Sequence, residues 1–329
     1  MTGMPAFEVK RATSIADAIA WLAMPEARVI AGGTDLVPNL RRGLERPATL
    51  VDVGGIAALG TIAFDDPSCV VGACVTLARL AADPRIAAEY PAIAQAAAEV
   101  AAPAHRNAGT VGGNLCLDTR CVFYNQSAWW REANRWCLKR GGDTCHVAPQ
   151  GARCHAAFSG DLAPALLVYG AEVELASAQR VRRIPLADLY RDDGAAHLTL
   201  APDELLVAVH LPPVAAGTVS AYRKARVRGT FDFPLAGVAL AAAFEGNRIA
   251  RLAVALTGTN SHPVSLAGTD ALAGRVVDDA TLALLGKLVA KQVSPMRTTA
   301  TASNYRRQVA SVLAQRLLRE AATASLAAG

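Results

Sequence analysis

Apolar positions recur along this chain at helical and then at strand spacing, and the changes of period mark out its elements. Near the start, Ser14-Ile15-Ala16-Asp17 has capping-box form, and Ile15, Ile19 and Leu22 share one helical face before Pro25 stops the helix. A short strand, Val29-Ile30-Ala31, runs into Gly32-Gly33-Thr34-Asp35-Leu36, and another strand is predicted near Leu50–Val53. The alternating segment Cys69–Val75 leads to an alanine-rich helix over about Ile86–Ala101 that ends before Pro103. A second glycine turn, Gly109-Thr110-Val111-Gly112-Gly113-Asn114, follows. The last third alternates as strands over Ala236–Phe244 and Ile249–Leu256, then takes helical period around Asp278–Val293 and Tyr305–Glu320. The small apolar tail Ala321–Gly329 is expected to fray. An α/β beginning followed by strands and then helices reads as an α+β chain.

Each glycine pair has a chemical reading. Adjacent glycines at a strand end let the backbone approach a ligand and take positive φ, and successive amides there form an anion-binding nest. The first turn is not G-x-G-x-x-G opening a helix, so it is not a Rossmann fingerprint. Its weight comes from the second copy, because two such loops can clamp one diphosphate from both sides.

Composition narrows the class. The chain has 329 residues, a net charge of +5 and 52% hydrophobic residues, the last inflated by alanine. No window approaches the ~18 uninterrupted apolar residues of a membrane span, and no basic run interleaved with aromatics suggests nucleic acid. No basic segment followed by an apolar stretch opens the sequence, so a cytoplasmic location is expected.

Cys121, Cys137, Cys145 and Cys154 form a C-x15-C-x7-C-x8-C series that holds three of the four tryptophans. No two of them make the C-x2-C knuckle of most structural zinc sites, so each ligand must come from its own bend. Four thiolates suit a zinc tetrahedron or a four-iron cluster, and the wide spacing is easier for the larger cubane. Buried, reduced core cysteines are the plain alternative. Phe123, Tyr124, Trp129, Trp130 and Trp136, five of the 17 aromatic residues, lie between Cys121 and Cys137 and can dock the segment and exclude water.

Ala31-Gly32-Gly33-Thr34-Asp35-Leu36, Thr110-Val111-Gly112-Gly113-Asn114-Leu115 and Asp161-Leu162-Ala163-Pro164-Ala165 resemble the flavin motifs of the medium, FAD-binding subunits of the xanthine dehydrogenase family of molybdenum enzymes. The likeness continues through Glu204-Leu205-Leu206, Tyr222-Arg223-Lys224, Ala255-Leu256-Thr257-Gly258 and Tyr305-Arg306-Arg307. It implies an α+β, two-subdomain FAD-binding fold at 1–55 and 56–217, with a C-terminal α+β domain at 218–329. It also implies FAD contacts from Val29 to Leu36, from Thr110, Gly112, Gly113, Asn114 and Leu115, from Asp161, and from Lys224 beside the flavin ring. The block at about 119–158 is an insertion relative to the usual member, and it resembles that of the beta subunits of 4-hydroxybenzoyl-CoA reductases. That resemblance implies a [4Fe-4S] cluster on Cys121, Cys137, Cys145 and Cys154, with electrons passing from ferredoxin through this chain to a [2Fe-2S] small subunit and a molybdenum-cofactor large subunit. Substrate chemistry then lies on a partner, and the assembly is a dimer of heterotrimers.

Other residues carry weaker expectations. Asp161 also suits a helix N-cap before Leu162–Val168. His105 and Arg106 precede the second glycine loop within reach of phosphate, Lys139, Arg140 and Arg153 can offset cluster charge, and His146 and His155 each follow a cluster cysteine. Cys116 is expected near the flavin, and Cys69 and Cys74 in the core. Two other classes compete: an NAD- or oxygen-linked molybdenum hydroxylase subunit with a zinc-stabilised loop, and a non-enzymatic zinc-stapled interaction module.

Overall fold

A computed structural model of the chain describes residues 3–297 and 301–328. The first unit runs β1 (Glu8–Arg11), α1 (Ile15–Leu22), β2 (Ala27–Ile30), α2 (Leu36–Arg41) and β3 (Thr49–Asp52). Its three strands are parallel in the order β1-β3-β2. Helix α1 starts where the sequence predicts, because the Ser14 hydroxyl accepts from the Asp17 amide and the Asp17 carboxylate accepts from the Ser14 amide. Pairing of β2 stops at Ile30, so Ala31 belongs to the glycine turn and not to the ladder.

The second unit begins with the hairpin β4 (Ile62–Asp65) and β5 (Ser68–Gly72). Short helices follow: α3 (Leu77–Ala82), α4 (Pro84–Glu89), α5 (Pro91–Glu99), α6 (Pro103–Ala108), α7 (Val111–Leu115), α8 (Ala128–Ala133) and α9 (Leu162–Leu167). Strands β6 (Glu172–Ala176), β7 (Val181–Pro185) and β8 (Leu205–Leu211) complete an antiparallel sheet in the order β4-β5-β8-β6-β7. The continuous helix expected over Ile86–Ala101 is instead two, α4 and α5, broken at Tyr90-Pro91. Proline disfavours helical geometry in the residue before it and gives no amide to the preceding turn.

The third unit has β9 (Val219–Ala225), β10 (Ala236–Glu245), β11 (Arg248–Thr257) and β12 (Val264–Ser265), covered by α10 (Asp279–Gln292) and α11 (Ser303–Ala328). Its antiparallel order is β12-β11-β10-β9. Strand β10 is apolar on both faces for a reason. Val238, Leu240 and Ala242 face a core shared with Leu285, Val289 and Leu317, while Ala239 and Ala241 join the second unit's core beside Ala96, Leu162 and Leu166. The third sheet is therefore packed on both sides, and this seats β9 against α5, and β10 and β11 against α9. The tail does not fray at Ala321: α11 continues to Ala328, with Ala310, Ala314, Leu317, Leu318 and Ala321 buried along one stripe. Alanine has the highest helix propensity, and this stripe gives the helix a face to bury.

Candidate cofactor sites

Three segments distant in sequence meet at the first site. A Cβ on Gly32 would collide with the Ala108 carbonyl, so only glycine lets the first loop lie directly against the second. The amides of Gly33, Thr34 and Asp35 donate to no backbone or side-chain acceptor among the described residues. They are available to a diphosphate. The second loop differs. Its Gly112 amide donates to Ala73 O at 2.8 Å, and its Gly113 amide to the Thr110 hydroxyl at 3.1 Å. Thr110 thus N-caps α7, and Leu115 is fully buried. The second loop is a wall whose two glycine amides are engaged.

Asn114 ties in the third segment, its side-chain carbonyl accepting from the Leu162 amide at 3.0 Å. That bond starts α9 in place of Asp161, whose carboxylate makes no cap bond. Instead the Asp161 carboxylate accepts from the Tyr222 hydroxyl at 2.6 Å and from Lys224 Nζ at 3.0 Å. Both side chains of the Asp161–Lys224 pair are buried, at 4% and 1% exposure, so Lys224 is not a solvent-facing strand lysine. Burial raises the Asp161 pKa, and Lys224 and Tyr222 pull it back. Gly237, opposite Lys224 on β10, lacks the Cβ that would collide with the Tyr222 hydroxyl. Tyr222 and Gly237 have no local sequence signal for this role; only the β9–β10 register creates it.

His105 and Arg106 are held elsewhere, His105 against the Phe231 ring at 4.6 Å and Arg106 on the Val100 carbonyl at 2.8 Å. Cys116 is half-buried, and desolvation pushes its pKa up to about 12, so it stays a neutral thiol. Cys69 is in the core and Cys74 at its edge.

The second site lies in the block between Arg120 and Ala157, whose backbones pair at the insertion's base. Cys121, Cys137, Cys145 and Cys154 line one cavity with Phe123, Tyr124, Leu138, Lys139, His146 and Val147. Regular structure is scarce here, and bends place the ligands. Arg135 and Trp136 both take φ of 58°, a strained choice for two consecutive non-glycine residues, immediately before Cys137. Two amides already point at sulfur, Tyr124 N at 3.2 Å from Cys121 Sγ and Ala156 N at 3.4 Å from Cys154 Sγ. Burial pushes the Cys154 thiol up to about 11, while the Ala156 amide and Lys139 pull it down. Among the described residues no three His, Cys, Asp or Glu side chains are grouped as a single ion requires. Four soft donors line this one space and two amides are aimed at sulfur, a donor set that suits a thiophilic centre, whether a zinc ion or an iron–sulfur cluster.

The cations near this cavity divide by position. Lys139 forms part of the wall, its Nζ on Asp118 at 2.6 Å and over the Tyr124 ring at 4.5 Å. Arg140 and Arg153 turn outward, to the Leu44 carbonyl at 2.9 Å and to Asp192 at 2.7 Å. Arg131, which the sequence did not single out, is buried, with Nη1 on the carbonyls of Tyr124 at 2.9 Å and Gln126 at 2.7 Å. Its Nε and Nη2 are buried without a partner among the described residues. His146 is held by the Trp136 carbonyl at 2.5 Å and stacks on Phe123 at 5.2 Å.

Residues 5–214 match the family described as the FAD binding domain in molybdopterin dehydrogenase, and residues 220–321 match the CO dehydrogenase flavoprotein C-terminal domain. The chain belongs to this molybdopterin dehydrogenase flavoprotein family. It is 33% identical over 278 residues to the aldehyde oxidoreductase FAD-binding subunit PaoB of Escherichia coli K12, covering 82% of this chain and 86% of that one. It is 26% identical to the carbon monoxide dehydrogenase medium chain of Afipia carboxidovorans, over 96% of both. Among solved structures, a Cu,Mo-CO dehydrogenase chain superposes with a TM-score of 0.81 at 26% identity, covering 97% of this chain and 99% of that one. A quinoline 2-oxidoreductase chain from Pseudomonas putida 86 does so with 0.79 at 26%, covering 98% and 99%. The α+β fold of the medium-subunit type is therefore established, and the chain is an FAD-binding medium subunit of an oxidoreductase. A flavin-free interaction module is set aside by the same match. No helix among the described residues is long and apolar enough to cross a membrane.

Proposed function

We propose that this FAD-binding subunit also holds a [4Fe-4S] cluster on Cys121, Cys137, Cys145 and Cys154, and is the electron-transfer subunit of a molybdenum enzyme of the 4-hydroxybenzoyl-CoA reductase type. Its partners are then a molybdenum-cofactor large subunit and a [2Fe-2S] small subunit in a cytoplasmic dimer of heterotrimers, with ferredoxin as donor. The observation that carries the reading is the convergence of four thiols, each from a separate bend, on one cavity beside the glycine loops. Bound FAD and cluster supply one-electron transfer, and the protein's part is to hold them, exclude water and set their surroundings. The free amides of Gly33, Thr34 and Asp35 bind the diphosphate, and the Thr110–Leu115 wall fixes the loop against which it lies. Phe123, Tyr124 and Leu138 keep water from the sulfurs, and Lys139 places a cation beside them.

The relatives' names favour one other reading, since PaoB is an aldehyde oxidoreductase subunit and the Afipia chain belongs to a carbon monoxide dehydrogenase. In it the chain serves a hydroxylase that reacts with NAD or oxygen, and zinc fills the cysteine loop. Metal analysis of the purified complex separates the two: iron with acid-labile sulfide and FAD supports the cluster, and zinc without iron sinks it. Cys137→Ser is expected to abolish cluster iron while a saturable FAD site remains. Turnover of 4-hydroxybenzoyl-CoA to benzoyl-CoA by the co-purified complex tests the substrate.

A further inference from the structure

We propose that Arg120 is a positioning residue that couples the first glycine loop to the cysteine pocket, so that filling either site strengthens binding at the other. The inference rests on the assignment of FAD and [4Fe-4S] sites above. Arg120 immediately precedes Cys121, and its backbone is fixed by two bonds to Ala157, at 2.9 and 2.8 Å, which close the insertion's base three residues after Cys154. Its guanidinium crosses to the carboxylate of Asp35, in the loop whose amides are free, and both side chains are largely buried at 10% and 25% exposure. Asp35 stands at the N-cap of α2 yet makes no cap bond. Its carboxylate is turned to Arg120, with Asn39 Nδ2 on the other oxygen at 3.2 Å.

The far end of α2 is gripped as well. Arg140, three residues after Cys137, donates to the carbonyls of Leu44 at 2.9 Å and Gly43 at 3.3 Å. Helix α2 is thus tied at both ends to residues beside cluster cysteines, and displacement of the pocket moves the glycine loop with it. Burial and the nearby Asp118 raise the pKa of Asp35, which only Arg120 and Asn39 offset. Without the guanidinium the carboxylate must take up a proton or turn to water, and either change releases the loop. Coupling of this kind is reciprocal by linkage.

The test is a double-mutant cycle on the full chain, with FAD affinity read by flavin fluorescence and iron content measured in parallel. Cys137→Ser and Arg120→Gln should each weaken FAD binding about tenfold, and the double variant should be no weaker than either single one, because both remove one link. Arg120→Lys should recover part of the affinity. A merely structural Arg120 would lower stability without making the two losses non-additive. The proposal is overturned if Cys137→Ser leaves FAD affinity unchanged, or if the two losses multiply to about a hundredfold. Should Arg120→Gln fail to fold, Asp35→Asn removes the same ion pair from the other side. Wild-type protein lacking iron or FAD overturns the site assignment itself, a result distinct from loaded protein that shows no coupling.

Discussion

The glycine site and the cysteine insertion sit side by side but are held by different kinds of bond. Around the glycines, close backbone approach does most of this: Gly32 lies against the Ala108 carbonyl, the Gly112 and Val111 amides donate to the carbonyls of Ala73 and Val75, and the Asn114 side chain joins the second and third segments. In the insertion, long side chains do this work: Arg131 holds the carbonyls of Tyr124 and Gln126, Lys139 holds Asp118 and Thr119, and Arg120 and Arg140 reach back to the first unit. The difference teaches that a site of regular elements is specified by close backbone approach, and a site of bends by buried cations satisfied on carbonyls. Substitutions should therefore fail differently in the two regions.

The largest effect is expected at Gly32. Gly32→Ala forces a Cβ into the Ala108 carbonyl and parts the two loops, so FAD content of the purified chain should fall at least tenfold, measured by its absorbance after gel filtration. If Gly32→Ala retains FAD, close approach is not what forms that site. Next comes Lys224→Met, which strands Asp161 in a buried position. Removal of one member of a buried pair costs about 3–5 kcal/mol, which urea unfolding would register. A loss below about 1 kcal/mol would mean that Tyr222 alone satisfies the carboxylate.

The third effect concerns how the insertion's ends are held. His197 Nε2 lies 3.0 Å from the Leu117 carbonyl and its ring beside Phe158, so it touches the chain on either side of the insertion. Burial, assisted by Lys139, lowers its pKa from 6.5 to about 4. Between these values the unfolded chain binds the proton and the folded chain does not, so stability falls as pH drops from 6.5 towards 4. Going from about pH 7 to pH 5 should cost roughly 2 kcal/mol through this group, and His197→Gln should remove that part of the slope in unfolding measurements. An unchanged slope would place the acid sensitivity elsewhere. The smallest effect is at Trp129, 75% exposed on α8. Trp129→Ser should change stability by no more than about 0.5 kcal/mol and leave cluster iron intact, whereas the buried Arg131→Met two residues on should reduce both.

Much of the scaffold was legible because the deciding forces are local. The Ser14–Asp17 box starts α1, and the alternating runs Ala236–Phe244 and Ile249–Leu256 become β10 and β11, each extended by a residue at one or both ends. Tyr90-Pro91 divided a helix that periodicity alone had drawn as one, although the proline was visible. Asp161 shows a deeper limit. Its cap reading was sound for an isolated helix, yet Lys224 and Tyr222, over sixty residues away, compete for the same carboxylate and a buried cation outweighs a cap. Arg131 was illegible for a similar reason, since nothing around an arginine between Trp130 and Glu132 announces burial.

By itself the sequence determined the first helix and its flanking strands, the long strands and helices of the last third, the two glycine turns, the four cysteines and the family to which they belong, because periodicity, caps and motif spacing act within a few residues. Tertiary structure alone decided that the first glycine loop offers its amides while both glycine amides of the second are engaged. It also decided that Asp161 meets Lys224, and that Arg120 and Arg140 bind the cysteine pocket to α2. These are contacts between charges and carbonyls far apart in the chain. Their strength depends on burial, which only the packing of the three units sets.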